Sequence, residues 1–294
     1  MMSTPLGIIA GSGSLPIELA RAARAAGRTV VAVAHIDESD PRLTENVNSA
    51  CWVAFGQLKK TIKFLKSAGV TEIVLAGGIS RKRLFSRGFR PDLKALWLLA
   101  KLKNAKDDHV LRMIAVEIEH ATGAKVVSAA SILKDAVPVA GPLTHTVMKA
   151  EHLSDALIGW QAAKKLGELD IAQTVVVARG AIVAVEALEG TDATIQRASE
   201  LSGAGAVVVK VSKPVQDLRL DLPTIGLGTV RSLEAAKAGA LVVEEGRCLI
   251  LDLSEVVARA DAAGIAIHVF RNATEIEELL KRSAPLGNIA KRYK

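Results

Sequence analysis

Short apolar runs alternate with stretches of helical periodicity through the first 130 residues. Residues 6–10, 29–34, 51–55, 72–76 and 125–128 read as strands, and residues 16–26, 57–68, 93–103 and 108–122 as helices. Such alternation predicts βαβ units, hence a parallel sheet with helices on both faces. The punctuation agrees: Pro16 suits a first helical position, and Gly27 and Gly69 suit helix ends.

The pattern lapses between Ser131 and Lys149 into turn chemistry, Ala136-Val137-Pro138-Val139-Ala140-Gly141-Pro142. A domain boundary is expected there, giving a Rossmann-like nucleotide- or phosphate-binding domain over residues 1–135 and a second α/β domain over residues 136–294. The second half has its own rhythm. Helices are expected at 150–166, 191–200, 229–238 and 254–263, with strands at 206–211 and 265–270. Two hairpins are expected, one around Arg179-Gly180 and one around Glu245-Gly246. The fold class is therefore α/β, with antiparallel hairpins in the second domain and no second Rossmann unit.

Composition narrows the function. Half of the 294 residues are hydrophobic and only 3% aromatic, so the cores are built from Ala, Val, Leu and Ile. The two cysteines belong to no CxxC or Cys/His cluster, which argues against a disulfide framework or structural zinc. No HxH, HExxH or GxSxG pattern supports zinc-hydrolase or serine-hydrolase chemistry. A net charge of +7 favours anionic partners. Too few aromatics are present for base-stacking platforms, so no nucleic acid is expected. Neither a leader nor a membrane span is expected, which implies a cytoplasmic protein.

Two glycine loops follow first-domain strands. Gly11-Ser12-Gly13-Ser14-Leu15-Pro16 sits where a strand meets a helix, and glycines there let a phosphate approach backbone amides. Pro16 stands where GxGxxG has its third glycine. Gly77-Gly78-Ile79-Ser80-Arg81-Lys82-Arg83 follows the 72–76 strand and suits a nucleotide phosphate. Beyond it, Lys94, Trp97, Lys101 and Lys103 lie among leucines. That helix either rests on an anionic bilayer or packs as an ordinary amphipathic helix.

Acidic groups gather in the second domain. Glu186-Ala187-Leu188-Glu189-Gly190-Thr191-Asp192 can bind a metal ion or cap a helix. The densest segment runs from Lys213 to Thr229, KPVQDLRLDLPTIGLGT. Lys213 and Arg219 can clamp phosphate oxygens, Asp217 and Asp221 can hold a divalent cation or activate water, and Thr229 would open the next helix. A catalytic loop acting on a phosphorylated substrate is the leading reading, with Glu189, Asp192, Asp217 and Asp221 as candidate metal ligands. An NAD(P)-dependent oxidoreductase, resting on the first glycine loop and Asp37, stays open beside it, as does a non-catalytic lipid- or nucleotide-binding protein.

These motifs together resemble the UDP-2,3-diacylglucosamine pyrophosphatase family of lipid A biosynthesis, the type without a calcineurin-like metallophosphoesterase fold. The matching features are Ile-Ala-Gly-Ser-Gly-Ser-Leu-Pro, Ala-Gly-Gly-Ile-Ser-Arg, Glu189-Gly190-Thr191-Asp192, and the Lys213 to Gly226 pattern. The resemblance implies hydrolysis of UDP-2,3-diacylglucosamine to lipid X and UMP with Mg²⁺, by a homodimer near the inner face of the inner membrane. It also implies substrate contacts from Gly11, Ser12, Gly13, Gly77, Gly78, Ser80, Arg81, Gly190, Thr191, Gln216, Thr224, Gly226 and Thr229. The catalytic group would be Asp217, Asp221, Lys213 and Arg219. One position departs: where the family is expected to carry an acid just before Thr229, this chain has Gly228. Weakened activity is the expected consequence.

Overall fold

The computed structural model describes residues 4–78, 90–101 and 107–283. The chain forms two compact units, one of residues 1–134 with 216–222, the other of residues 135–215 with 223–294.

The first unit runs β1 (Leu6–Ala10), α1 (Leu15–Ala25), β2 (Val30–His35), β3 (Ser49–Val53), α2 (Leu58–Ser67), β4 (Glu72–Ala76), α3 (Leu93–Lys101), α4 (Asp107–Thr122) and β5 (Lys125–Val126). All pairings in its sheet are parallel, in the order β3-β2-β1-β4-β5. β1 and β2 are buried along their whole length, as unbroken apolar runs in a doubly covered sheet must be. The strand order reverses between β1 and β4, the place where open α/β sheets collect ligands.

The two glycine loops meet at that reversal. Gly11 N–H donates to Ala76 O at 2.7 Å, Ser12 N–H to Gly78 O at 2.7 Å, and Ser12 Oγ to the same oxygen at 3.0 Å. A Cβ on Gly11 would lie 2.2 Å from Gly78 O, and one on Gly77 would lie 2.2 Å from Ser12 O. Gly77 also has φ of +84°, which an L side chain resists. Both glycines are thus required by backbone-to-backbone approach.

A late piece of chain completes this unit. Leu220 is buried with Ile9, Val33, Leu65, Ile73, Ile118 and Val126. Ser128 Oγ donates to Leu218 O at 2.9 Å. Residues 216–222 lie in the second half of the sequence but pack with the first unit.

The second unit comprises β6 (Gly141–Pro142), α5 (Ala150–Glu168), β7 (Thr174–Ala178), β8 (Ala181–Val185), α6 (Thr191–Ser202), β9 (Val207–Lys210), β10 (Thr224–Ile225), α7 (Leu227–Ala235), β11 (Ala240–Glu244), β12 (Leu249–Ile250), α8 (Leu253–Ala262), β13 (Ala266–Phe270) and α9 (Ala273–Ser283). Its main sheet has the order β6-β13-β11-β9-β7-β8. The three central strands are parallel and the flanking strands pair antiparallel. The α/β class with an antiparallel portion in the second half is observed.

The β7–β8 hairpin forms as expected. Arg179 and Gly180 both take positive φ, 53° and 80°, and the buried Asp155 carboxylate accepts both amides, at 2.8 and 2.7 Å. The second expected hairpin does not form. β11 has β9 on one edge and β13 on the other, so no edge is left for the chain after Gly246. That chain becomes β12 and pairs in parallel with β10 in a separate two-stranded sheet. α7 also starts two residues before Thr229, at Leu227, following β10, whose two residues are too short to show a period.

Two stability outcomes follow. Leu220→Ala should cost about 2–4 kcal/mol, the usual range for emptying a buried leucine site. Gly77→Ala should cost about 1–3 kcal/mol, since its Cβ would meet a backbone oxygen that has no room to yield. Urea denaturation read by circular dichroism measures both, and a cost within error of zero for either would contradict the packing described.

Candidate functional site

Of the first-unit phosphate candidates, the amides of Gly11 and Ser12 are taken up by Ala76 and Gly78. The N-terminal turn of α1 is entered through Gly13, with φ of +87°. Gly77 and Gly78 serve the loop-to-loop contact. Ser80 and Arg81 lie outside the described residues.

The segment 213–229 divides between the two units. In the first unit, Arg219 forks the Asp217 carboxylate with bonds of 3.0 and 2.7 Å. The guanidinium beside Asp217 holds its carboxyl below the usual carboxylate range. Gln216 Nε2 donates to Asp221 Oδ2 at 2.6 Å. In the second unit, Lys213 pairs with Asp170 at 2.6 Å, both side chains largely buried. Gly167 lets helix α5 approach this point, since a Cβ there would come within 3.1 Å of Lys213 Cα. The two expected clamps are thus each paired with a carboxylate.

The convergence of chemistry in the second unit lies at the carboxyl end of β9. Lys210, the last residue of that strand, is buried at 5% exposure. Its ammonium donates to Thr191 Oγ1 at 2.9 Å and to Thr224 O at 3.2 Å. Thr191 Oγ1 in turn donates to Glu186 Oε1 at 3.0 Å. Thr191 opens α6, capped by Gly190, and Thr224 belongs to the strand that leads through Gly226 into α7. One ammonium thus ties together the chain at two helix N-termini, both with positive partial charge. Desolvation at this end also pushes the Cys248 thiol up to about 12.

Gly190, Thr191, Thr224, Gly226 and Thr229 are brought together around these two helix starts. Glu189 lies beside them but pairs with Arg197 at 2.8 Å. Its own amide first, then Arg197, holds its carboxyl low. Asp192 is exposed in the first turn of α6. Glu189 and Asp192 belong to one unit, Asp217 and Asp221 to the other. Among the described residues, no three His, Cys, Asp or Glu side chains stand close enough to hold a metal ion.

Sequence reasoning missed Lys210, Glu186 as its partner through Thr191, and a second polar knot. There Lys164 Nζ donates to both Glu244 oxygens at 2.7 Å, and Ser212 N and Oγ each donate to Glu244 at 3.0 Å. Burial pushes the Lys164 ammonium down despite this partner. The available signal was a lone lysine closing the apolar run Ala206-Val207-Val208-Val209-Lys210. A charge there needs a reason.

Comparison with known proteins places this geometry in a family. Residues 5–136 match the LpxI N-terminal domain and residues 139–268 the LpxI C-terminal domain. The chain is 34% identical over 273 residues to UDP-2,3-diacylglucosamine pyrophosphatase LpxI of Caulobacter vibrioides, covering 89% of this chain and 96% of that protein. Among solved structures, the biotin carboxylase domain of Hydrogenobacter thermophilus 2-oxoglutarate carboxylase matches at 13% identity and TM-score 0.29, over 68% of this chain and 41% of that one. Staphylococcus aureus N5-carboxyaminoimidazole synthetase matches at 18% identity and TM-score 0.24, over 60% and 38%. Scores that low carry no argument about this chain. Two domain matches in order, and a relative aligned over nearly its whole length, do: the chain belongs to the LpxI family.

Proposed function

We propose that this chain hydrolyses the diphosphate of UDP-2,3-diacylglucosamine in lipid A biosynthesis, with water adding to phosphorus and UMP and 2,3-diacylglucosamine 1-phosphate as products. The observation that supports this most is the 34% identity across 96% of a relative named for that activity. In this reading the first domain binds nucleotide or phosphate and the second holds the diacylated sugar. The α6 and α7 N-termini with Lys210 supply fixed positive charge of the kind that stabilises a diphosphate as its bond breaks.

Asp217, Asp221, Lys213 and Arg219 enter the reading as participants whose present pairs open when substrate arrives. A divalent cation, Mg²⁺ in the first instance, is proposed on the chemistry of the substrate, whose two phosphates carry adjacent negative charge. The enzyme is taken to be a homodimer, as the family resemblance implies.

Gly228 bears directly on rate. It occupies the second position of α7, is exposed, and a Cβ there would meet nothing within 4 Å. An acidic side chain fits the space, lies at the positive helix end, and replaces a helical glycine. Gly228→Asp should therefore raise UMP release about tenfold or more, the scale on which a positioned acid or base acts. The measurement is UMP release from UDP-2,3-diacylglucosamine by wild type and variant, with Mg²⁺ and with EDTA. Absence of UMP from both proteins under all conditions would overturn the hydrolase reading, and substrate recovered bound but intact would favour a carrier.

We also propose peripheral contact with the anionic inner face of the inner membrane through α3. Leu93, Leu96 and Trp97 are exposed there, at 86%, 48% and 51%. Among the described residues no helix is long and apolar enough to cross a membrane. Replacing Leu93 and Trp97 together with serine should lower cosedimentation with phosphatidylglycerol vesicles about tenfold, because apolar area drives interfacial binding. Unchanged cosedimentation would remove α3 from the contact.

A further inference from the structure

Strand register puts three polar residues in one row across the second-unit sheet. Thr174 of β7 is the register partner of Lys210 on β9, and Glu186, just past β8, donates its amide to Thr174 O at 3.0 Å. Thr174, Lys210 and Glu186 each lie two residues from Val176, Val208 and Ala184 respectively, which pack in one apolar cluster, so the three side chains share that face. Thr191 then spans the row from above, accepting from Lys210 and donating to Glu186.

This row is unusual in what it leaves open. Thr174 is fully buried, yet its hydroxyl has no partner among the described protein atoms, and the same holds for Glu186 Oε2. Buried polar atoms are nearly always paired, so both atoms call for a partner that the described protein atoms do not supply. Among the described residues, no carboxylate pairs directly with Lys210. Its charge reaches Glu186 only through the Thr191 hydroxyl, whose proton is thereby directed inward and withheld from any ligand.

We propose that Lys210 is a positioning residue: through Thr191 and Thr224 it fixes the N-terminal turn of α6 and the chain entering α7 so that their amides receive a diphosphate group. Thr191 is the link in this chain, its hydroxyl held between Lys210 and Glu186. The proposal rests on the diphosphate reading above but concerns binding, so it can be tested without turnover.

The test is titration of the full chain with inorganic pyrophosphate by calorimetry, beside melting temperatures. Wild type should bind. Lys210→Met and Thr191→Val should each weaken binding about tenfold or more, the scale of losing a hydrogen bond to a charged group. Thr191→Ser, which keeps the hydroxyl, should stay within about twofold of wild type. A purely structural role would lower the melting temperature of Thr191→Val and leave its affinity unchanged. That result, or no pyrophosphate binding by wild type, overturns the proposal. If wild type and the Thr191→Ser variant bind as expected but release no UMP from UDP-2,3-diacylglucosamine, the positioning role stands and the hydrolase reading falls. Should Lys210→Met fail to fold, Thr191→Val against Thr191→Ser decides alone.

Discussion

Parallel pairing is the constraint from which the second unit's chemistry follows. Successive parallel strands need a return crossover, and the helix that makes the return begins near the carboxyl end of the strand it follows. β9, β11 and β13 are parallel, so α7 begins at the carboxyl end of β9, and α6 begins beside it after β8. Unpaired helical amides are thereby delivered to one edge of the sheet, whatever the side chains. The sequence then places a lysine at the end of β9, among those amides. An ammonium buried there is costly unless its donors are used. Thr191 and the Thr224 carbonyl use them.

The first unit solves a related problem with backbone alone. The crevice at its strand-order reversal is narrowed by two loops whose glycines touch main chain to main chain. Two of the amides that a phosphate-loop reading would offer to a ligand hold the loops together instead. The neighbouring Ala10 carbonyl is occupied too, by Ser39 Oγ and by His35 Nδ1, both at 2.8 Å. Burial keeps that imidazole less basic than usual. Glycine in such loops therefore has two physical meanings, and only the partner across the crevice tells them apart.

Much of this was legible in the sequence. Helix and strand positions came from period and punctuation, as with β1, β4, α5 and the Arg179-Gly180 hairpin, because those signals are local. Pairing was less legible. Glu245-Gly246 has the chemistry of a hairpin turn, but strand edges already occupied on both sides decide the outcome, and that is information from distant chain. The charged segment 213–229 looked like a set of ligands for substrate. In the structure Lys213 pairs with Asp170, Arg219 with Asp217, and Asp221 accepts from Gln216, contacts that spacing along the chain does not specify. Lys210 was overlooked for the opposite reason: its partners Thr191 and Thr224 are uncharged and lie 19 and 14 residues away.

Leu220 has a consequence for the order of events during synthesis. The core of the first unit includes a side chain that the ribosome adds only after most of the second unit's helix α5 and strands β7 to β9 exist. Folding from the amino terminus therefore cannot finish with the first 134 residues; a gap in the apolar core stays open while some 80 further residues are made. Closing it joins the completion of one unit to the progress of the other, so the chain matures as a linked pair of bodies even though each has a core of its own.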